Sequence, residues 1–520
     1  MHEREITIDG RSLSLDDVEA VARRSVRVAL GDGARRRVEE SAEMLRRLAE
    51  GPTPIYGVNT GYGIFSDRRI DAEQAASLSR NLVLSHAVCV GEPFSPDVTR
   101  ASMLIRANAL AHGLSGVRPQ LIDTLLHMLN QGVVPIIPSQ GSLGSSGDLG
   151  PLAHLALVLT RGPSESSDLE SGQAWYAGEV VSGERAMRRA GIPRLDLGPK
   201  DGLALTNGAT FSAGMLALTC VDAERILSCA EAAAAMSFEA LRGVTTALDP
   251  RLHEARPHPG QSAVAERLRA LLSGSTLTDS GAKVQDAYSL RCIPQVLGPV
   301  WETLEYARRV ATIEINSATD NPLLIGDRAV SGGNFHGEPI GMACDYLKIA
   351  MNAAAGIGER RIFRLVSEHT SSGLPPMLVS DPQSAGLQSG LMMLQYTAAS
   401  LVLESQALAT PNSIHSLPTS ADQEDFNANA ATAARCLLQV TANLRWIVAI
   451  ELLTAARALD LRRKASSEVR LGSGTSAVHA RIRQAVPLVL EDHAMSEEVE
   501  VVASLVARGE LSEAVGQPAL

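Results

Sequence analysis

The chain has 520 residues, is 45% hydrophobic but only 3% aromatic, and carries a formal net charge of −11. That length can bury a large core, and an acidic balance with no concentrated basic block argues against nucleic acid as a partner. Six cysteines (Cys89, Cys220, Cys229, Cys292, Cys344 and Cys436) lie too far apart for a metal knuckle or a disulfide framework and are expected as reduced core residues. The start, Met1-His2-Glu3-Arg4-Glu5, is charged with no apolar stretch behind it, and no uninterrupted apolar run of about 18 residues follows anywhere, so a cytoplasmic protein without a membrane segment is expected.

Ile6-Thr7-Ile8-Asp9-Gly10 predicts a short strand running into a turn, and Ser14-Leu15-Asp16-Asp17 predicts the cap of a helix through Val18 to Arg24. Residues 51–70 are rich in glycine and proline and read as a loop. Helical periodicity returns from about Ala75 to Leu129, broken at His112-Gly113. Between Arg161 and Pro199, polar residues, glycines and Pro163 predict a surface excursion with a small strand pair near Ala174 to Val181. Long apolar periodic segments at about 203–244, 286–316, 338–370, 385–409 and 424–463 predict bundle helices, and Ser473 to Gly509 predicts shorter amphipathic ones. The expected fold is mainly α: a long-helix bundle over 201–520 with a smaller mixed N-terminal portion over 1–200.

The run Gly141-Ser142-Leu143-Gly144-Ser145-Ser146-Gly147-Asp148-Leu149-Gly150-Pro151-Leu152-Ala153-His154 carries the chemistry. Taken alone, Gly-Ser-Ser-Gly reads as a flexible surface loop. Here Val133-Val134-Pro135-Ile136-Ile137-Pro138 leads in and an apolar helix candidate follows, which places the loop in the core. If the Gly147 nitrogen attacks the Ser145 carbonyl carbon and two waters leave, one from the Ser146 side chain, a five-membered ring with an exocyclic methylidene results. Such a ring accepts electrons. Glycine suits the attacking position because a residue without Cβ folds back at little steric cost.

Other polar groups match the needs of an elimination, which requires a base, an electrophile and a carboxylate clamp. Tyr56, in Tyr56-Gly57-Val58-Asn59-Thr60-Gly61-Tyr62-Gly63, is a base candidate if a cationic or dipolar surrounding lowers its pKa, and the three glycines would let the loop close as a lid; Tyr62 is the alternative. Arg291 offers a planar fork for a carboxylate, and on a helix it shares a face with Tyr288, as Tyr288 does with Gln285. Asn207, in Thr206-Asn207-Gly208, reads either as a helix-interrupting turn or as a donor to the ring carbonyl, and Phe335, in Gly332-Gly333-Asn334-Phe335-His336, either packs on the substrate or fills core. His253, His258 and His336 lack ligand-like neighbours and no phosphate-binding glycine loop with lysine occurs, so neither metal nor nucleotide is expected.

The ring-forming run, the Tyr56 loop and Gln285-Asp286-Ala287-Tyr288-Ser289-Leu290-Arg291 together resemble the aromatic amino acid ammonia-lyase and aminomutase family, from the Tyr56 loop to Asp425. The resemblance implies a 4-methylideneimidazole-5-one group formed from Ser145, Ser146 and Gly147, with Tyr56 as base. It also implies a helical core akin to fumarase and aspartase, and a homotetramer whose sites are built from three subunits. Two positions depart from the family: Ser145 and Gly150 stand where alanine is usual. Glu424, where the histidine branch has glutamate and the phenylalanine and tyrosine branches glutamine, points to L-histidine and urocanate, as does Asn59, while Ser85-His86 resembles the family's pattern for a polar ring, imidazole or phenol. Phe426-Asn427-Ala428 departs from the histidine branch and Ile414-His415-Ser416 is closer to the tyrosine branch, so a tyrosine lyase or a 2,3-aminomutase stays open beside it, as does a non-catalytic helical homologue.

Overall fold

In the computed structural model, which describes residues 5–162 and 168–515, Ser14 opens the first helix, Leu15–Arg24, with a reciprocal cap. Its hydroxyl accepts from the Asp17 amide, and the Asp17 carboxylate accepts from the Ser14 amide. The helix joins the parallel strands Glu5–Ile8 and Arg27–Leu30. The predicted strand pair is an antiparallel hairpin, Gln173–Tyr176 with Glu179–Ser182, and Val134–Pro135 pairs beside it. Met1–Arg4 and the expected breaker Pro163 lie outside the described residues.

The fold is mainly α, and long helices dominate it: Thr210–Ala240, Ile293–Glu314, Glu338–Val366, Met392–Leu408 and Ala430–Ala465. Each is shorter than its apolar segment suggests, for local reasons. Gly208, at φ +115°, separates Asp201–Thr206 from Thr210–Ala240. Pro294 lacks an N–H and cannot continue a helix from behind, so Tyr288–Arg291 is a single turn ending at Cys292. Gly386 and Gly390, both at positive φ, delay the fourth helix to Met392. The stretch expected as helix from Ala75 to Leu129 contains three helices, Ala75–His86, Pro96–Leu110 and Pro119–Gln131, and a strand, Val90–Pro93, that pairs with Pro138–Gln140. A stretch of Ala430–Ala465 is long and apolar enough to cross a bilayer, but 67% of it is buried within the protein, as in a core helix.

The chain forms two compact units that interleave in sequence rather than parting near residue 200. One holds the chain up to Val221 with Ala307–Asp345 and Pro411–Arg435; the other holds Asp222–Tyr306, Tyr346–Thr410 and the chain from Cys436. In the first, Pro96–Leu110 is buried from Val98 through Leu110 and packs against Leu15–Arg24 and Pro119–Gln131. In the second, buried Glu451 takes two hydrogen bonds from Arg361 (2.5 and 2.8 Å) and one from Ser237 (2.8 Å), which satisfies an ion pair that burial would otherwise make costly.

Candidate active site

The Ser145-Ser146-Gly147 peptide precedes the helix Leu149–Leu159, which packs on Ala75–His86 and Asp201–Thr206. Gly147 sits at φ +77°, and a Cβ there would lie 2.0 Å from the Gly208 carbonyl carbon. The two glycine backbones are clamped together: the Gly208 N–H donates to the Ser146 carbonyl (3.1 Å) and the Asp148 N–H to the Gly208 carbonyl (3.0 Å). Asp148 is buried and accepts from Ser142 Oγ (2.8 Å), the Ser212 N–H (2.8 Å) and Ser212 Oγ (3.0 Å). Burial pushes its carboxyl up, and these donors pull it back. Beneath them the fully buried Arg106 donates to the Ala204 and Gly208 carbonyls and to Thr210.

A cavity of about 700 Å³ opens beside this peptide, lined by Tyr56, Tyr62, Arg68, Asn81, Ser85, His86, Ser146, Leu203, Asn207 and Glu424, among others. The first unit therefore gathers Tyr56, His86, Ser146, Asn207 and Glu424 from five separate stretches of sequence. Glu424 reaches the ring-forming serines directly: Ser145 Oγ donates to its Oε2 (2.8 Å) and Ser146 Oγ to its Oε1 (2.9 Å). Asn207 lies in the turn after Asp201–Thr206, and its buried Oδ1 has no hydrogen-bond partner. Burial lowers the His86 pKa, so its imidazole is neutral at pH 7. Ser85 Oγ donates to the Leu82 carbonyl (3.2 Å) and lies 3.0 Å from His86 Nδ1, contacts that are both satisfied when the imidazole proton is on Nδ1.

Three expectations about the Tyr56 loop change. Burial raises the Tyr56 pKa; the Gly63 N–H donating to its oxygen (3.2 Å) opposes that rise, and the nearby Glu424 charge adds to it, so this unit alone does not hold the phenol ionised. Gly57, at φ +65°, provides close approach rather than slack, since a Cβ there would lie 2.4 Å from Leu203 Cδ2. Asn59 is not on the cavity lining: its Oδ1 accepts from the Ile55 N–H (2.7 Å) and its Nδ2 donates to the Thr53 carbonyl (3.0 Å), so its amide shapes the loop that carries Tyr56.

The family model for aromatic amino acid lyases matches residues 13–484. The chain belongs to that family. It is 45% identical to the histidine ammonia-lyase of Caldanaerobacter subterraneus subsp. tengcongensis, covering 98% of each chain, and 46% identical to that of Gloeobacter violaceus, covering 98% of this chain and 97% of the relative. Among solved structures it is similar to the histidine ammonia-lyase from Trypanosoma cruzi (36% identity, TM-score 0.89, 99% of this chain and 95% of that one). It is equally similar to the tyrosine aminomutase from Streptomyces globisporus (36%, TM-score 0.91, 99% and 98%).

The remaining candidates of the lyase lie elsewhere. Gln285, Tyr288 and Arg291 belong to the second unit and are not on the Tyr56 cavity lining; Gln285 and Arg291 line a separate depression with Asp249, Arg251 and Asp286. They do meet one another. Arg291 Nη1 donates to Gln285 Oε1 (2.8 Å), and its guanidinium carbon lies 4.8 Å from the centre of the Tyr288 ring. Gln285 sits ahead of the helical turn rather than on it, in a segment pinned where Asp286 accepts from the Val244 N–H (2.6 Å). Phe335 is partly exposed in the turn before Glu338–Val366, off the cavity lining. Among the described residues no three His, Cys, Asp or Glu side chains gather as metal ligands.

Gly150 has a clear physical reason: an alanine Cβ there would lie 2.5 Å from Cys89 Sγ, so the thiol occupies the space of the usual methyl group. The reading from residues missed Asp148, Ser212, Arg106 and Gly208. Gly208 and Asp148 each stood in a stretch already singled out, beside Asn207 and Gly147, but Ser212 and Arg106 lie in stretches with no local motif.

Proposed function

We propose that this lyase eliminates ammonia from L-histidine to give urocanate, as a cytoplasmic homotetramer whose 4-methylideneimidazole-5-one group forms from Ser145, Ser146 and Gly147. The observation that carries the substrate is the Glu424 carboxylate, placed in one cavity with His86 and Tyr56 and against the ring-forming serines. Near-full-length similarity to histidine ammonia-lyases supports it, and six free cysteines suit a reducing compartment.

The residues present fit the group. Gly147 already holds a backbone turn whose outer face a Cβ would fill, and the hydroxyl that must leave, on Ser146, is hydrogen-bonded to a carboxylate. In closure the Gly147 nitrogen bonds to the Ser145 carbonyl carbon, and that carbonyl oxygen leaves as water with the Gly147 and Ser146 amide protons. The Ser146 Cα proton and hydroxyl leave as the second water. The Gly208 N–H already donates to the Ser146 carbonyl, the oxygen that is retained. Once formed, the group supplies an electron-accepting methylidene carbon at the cavity.

Glu424 accepts the imidazole N–H of the substrate, and neutral His86 lies on the same lining. Tyr56, ionised, removes the β-proton; the β-carbon electrons form the double bond as the amine departs. Arg291 of a neighbouring subunit clamps the carboxylate in two parallel hydrogen bonds, oriented by Gln285 and Tyr288. Phe335, off this chain's own cavity lining, packs on the substrate from a neighbouring subunit, and Asn59 holds the Tyr56 loop in shape.

Incubating purified protein separately with L-histidine, L-tyrosine and L-phenylalanine tests the reading, with near-UV absorbance for acrylates, chromatography for β-amino acids and intact mass for the lost waters. Urocanate from a chain lighter by two waters is expected. A β-amino acid from tyrosine would instead establish the second reading, an aminomutase, which Ile414-His415-Ser416 and the tyrosine aminomutase likeness favour. A chain of unreduced mass would remove the prosthetic group.

A further inference from the structure

We infer that Ser145, whose side chain stays outside the ring, is the positioning residue for the Glu424 carboxylate and thereby for the imidazole of the substrate; the second half of this rests on the histidine reading. Glu424 closes a tight reverse turn in which the Thr419 and Glu424 backbones exchange hydrogen bonds (2.8 and 3.2 Å). Three consecutive non-glycine residues within it, Ser420, Ala421 and Asp422, hold φ of +51°, +50° and +66°, a strained path that persists only where the surroundings hold it.

Three hydroxyls reach the carboxylate. Ser145 Oγ donates to Oε2 at 2.8 Å, Ser146 Oγ to Oε1 at 2.9 Å, and Thr419 Oγ1 to Oε2 at 3.4 Å. Ring closure expels the Ser146 oxygen, so one of the two short bonds disappears with maturation. The Ser145 bond is the short one that can remain. Closure therefore releases Oε1 for a ligand while Ser145 keeps Oε2 fixed, and with alanine at 145 only the long Thr419 contact would restrain the carboxylate's torsions. Ser145 is 8% exposed and is not on the cavity lining, whereas Glu424 is, so its influence runs through Glu424.

The test compares the full-length chain with S145A and S145T, threonine keeping the hydroxyl. Intact mass should show both waters lost from all three. For S145A the KM for histidine and the Kd of imidazole alone, by calorimetry, should rise together by about tenfold, with a much smaller fall in kcat, and S145T should restore both. Wild-type values for S145A would overturn the inference, and so would an S145A chain that keeps its waters, because the hydroxyl would then act in closure. If the wild-type chain neither turns over histidine nor binds imidazole, the substrate reading has failed and crystallography of S145A decides the positioning: a Glu424 carboxylate rotated away supports it, an unmoved one overturns it.

Discussion

Around the ring-forming peptide, polar groups are spent on their own unit: Asp148 has three donors, Glu424 has two serine hydroxyls, and both amide ends of Asn59 are taken by loop backbone. The Gln285–Arg291 segment is held at its base by Asp286 and leaves Tyr288 71% exposed. The first region is bound up within its own unit, with the buried Asn207 Oδ1 left open beside the cavity. The second is organised among its own residues, Arg291 with Gln285 and Tyr288, and leaves an aromatic face exposed.

The sharpest way to break the contrast is G147A. With φ at +77° and the Gly208 backbone in the way, the added Cβ should block closure, leaving intact mass undiminished and activity at background. Y56F should follow, lowering kcat by about 10³-fold with the ring formed. With Tyr56 as the proposed base, the same phenol should set the pH profile. Because its pKa is raised, the ionised fraction is small at neutral pH, so kcat/KM should climb with pH into the alkaline range, and Y56F should flatten that limb. R291K keeps charge but loses the planar fork, and kcat/KM should fall by about 10²-fold at unchanged mass and unfolding midpoint. A stability loss instead would mean that Arg291 belongs to the folded scaffold.

Smaller effects probe the first region. G150A should cost about 2 kcal/mol in denaturant unfolding through overpacking against Cys89, and adding C89A should recover most of it. N59A should cost about 1 kcal/mol for its two loop hydrogen bonds. A raised KM with no stability change would return Asn59 to direct contact with substrate.

Periodicity located the long helices, because a buried stripe must recur at helical spacing along the whole element. It could not place their starts, where Gly208, Pro294 and the Gly386/Gly390 pair act through backbone geometry over one or two residues. Tyr56, Ser146 and Asn207 stood out in glycine-containing stretches of their own, His86 and Glu424 only through the resemblance to the family, and the structure brings all five to one cavity. Arg106 and Ser212 did not: an arginine buried in an apolar helix and a serine after a turn gain meaning only from partners 102 and 64 residues away, respectively. Ser145 and Gly150, conspicuous only as departures from the family, turn out to answer to Glu424 and Cys89, neither adjacent in sequence.

The face-to-face approach of Gly147 and Gly208 also constrains how this enzyme can diversify. Gly147 accepts no side chain while the Gly208 backbone stays put, Gly208 accepts none while Thr319 and Arg106 stay put, and widening the gap would break the hydrogen bonds that join the two strands of chain. Change among the cavity-lining side chains can proceed one residue at a time, while this seam is locked against stepwise change.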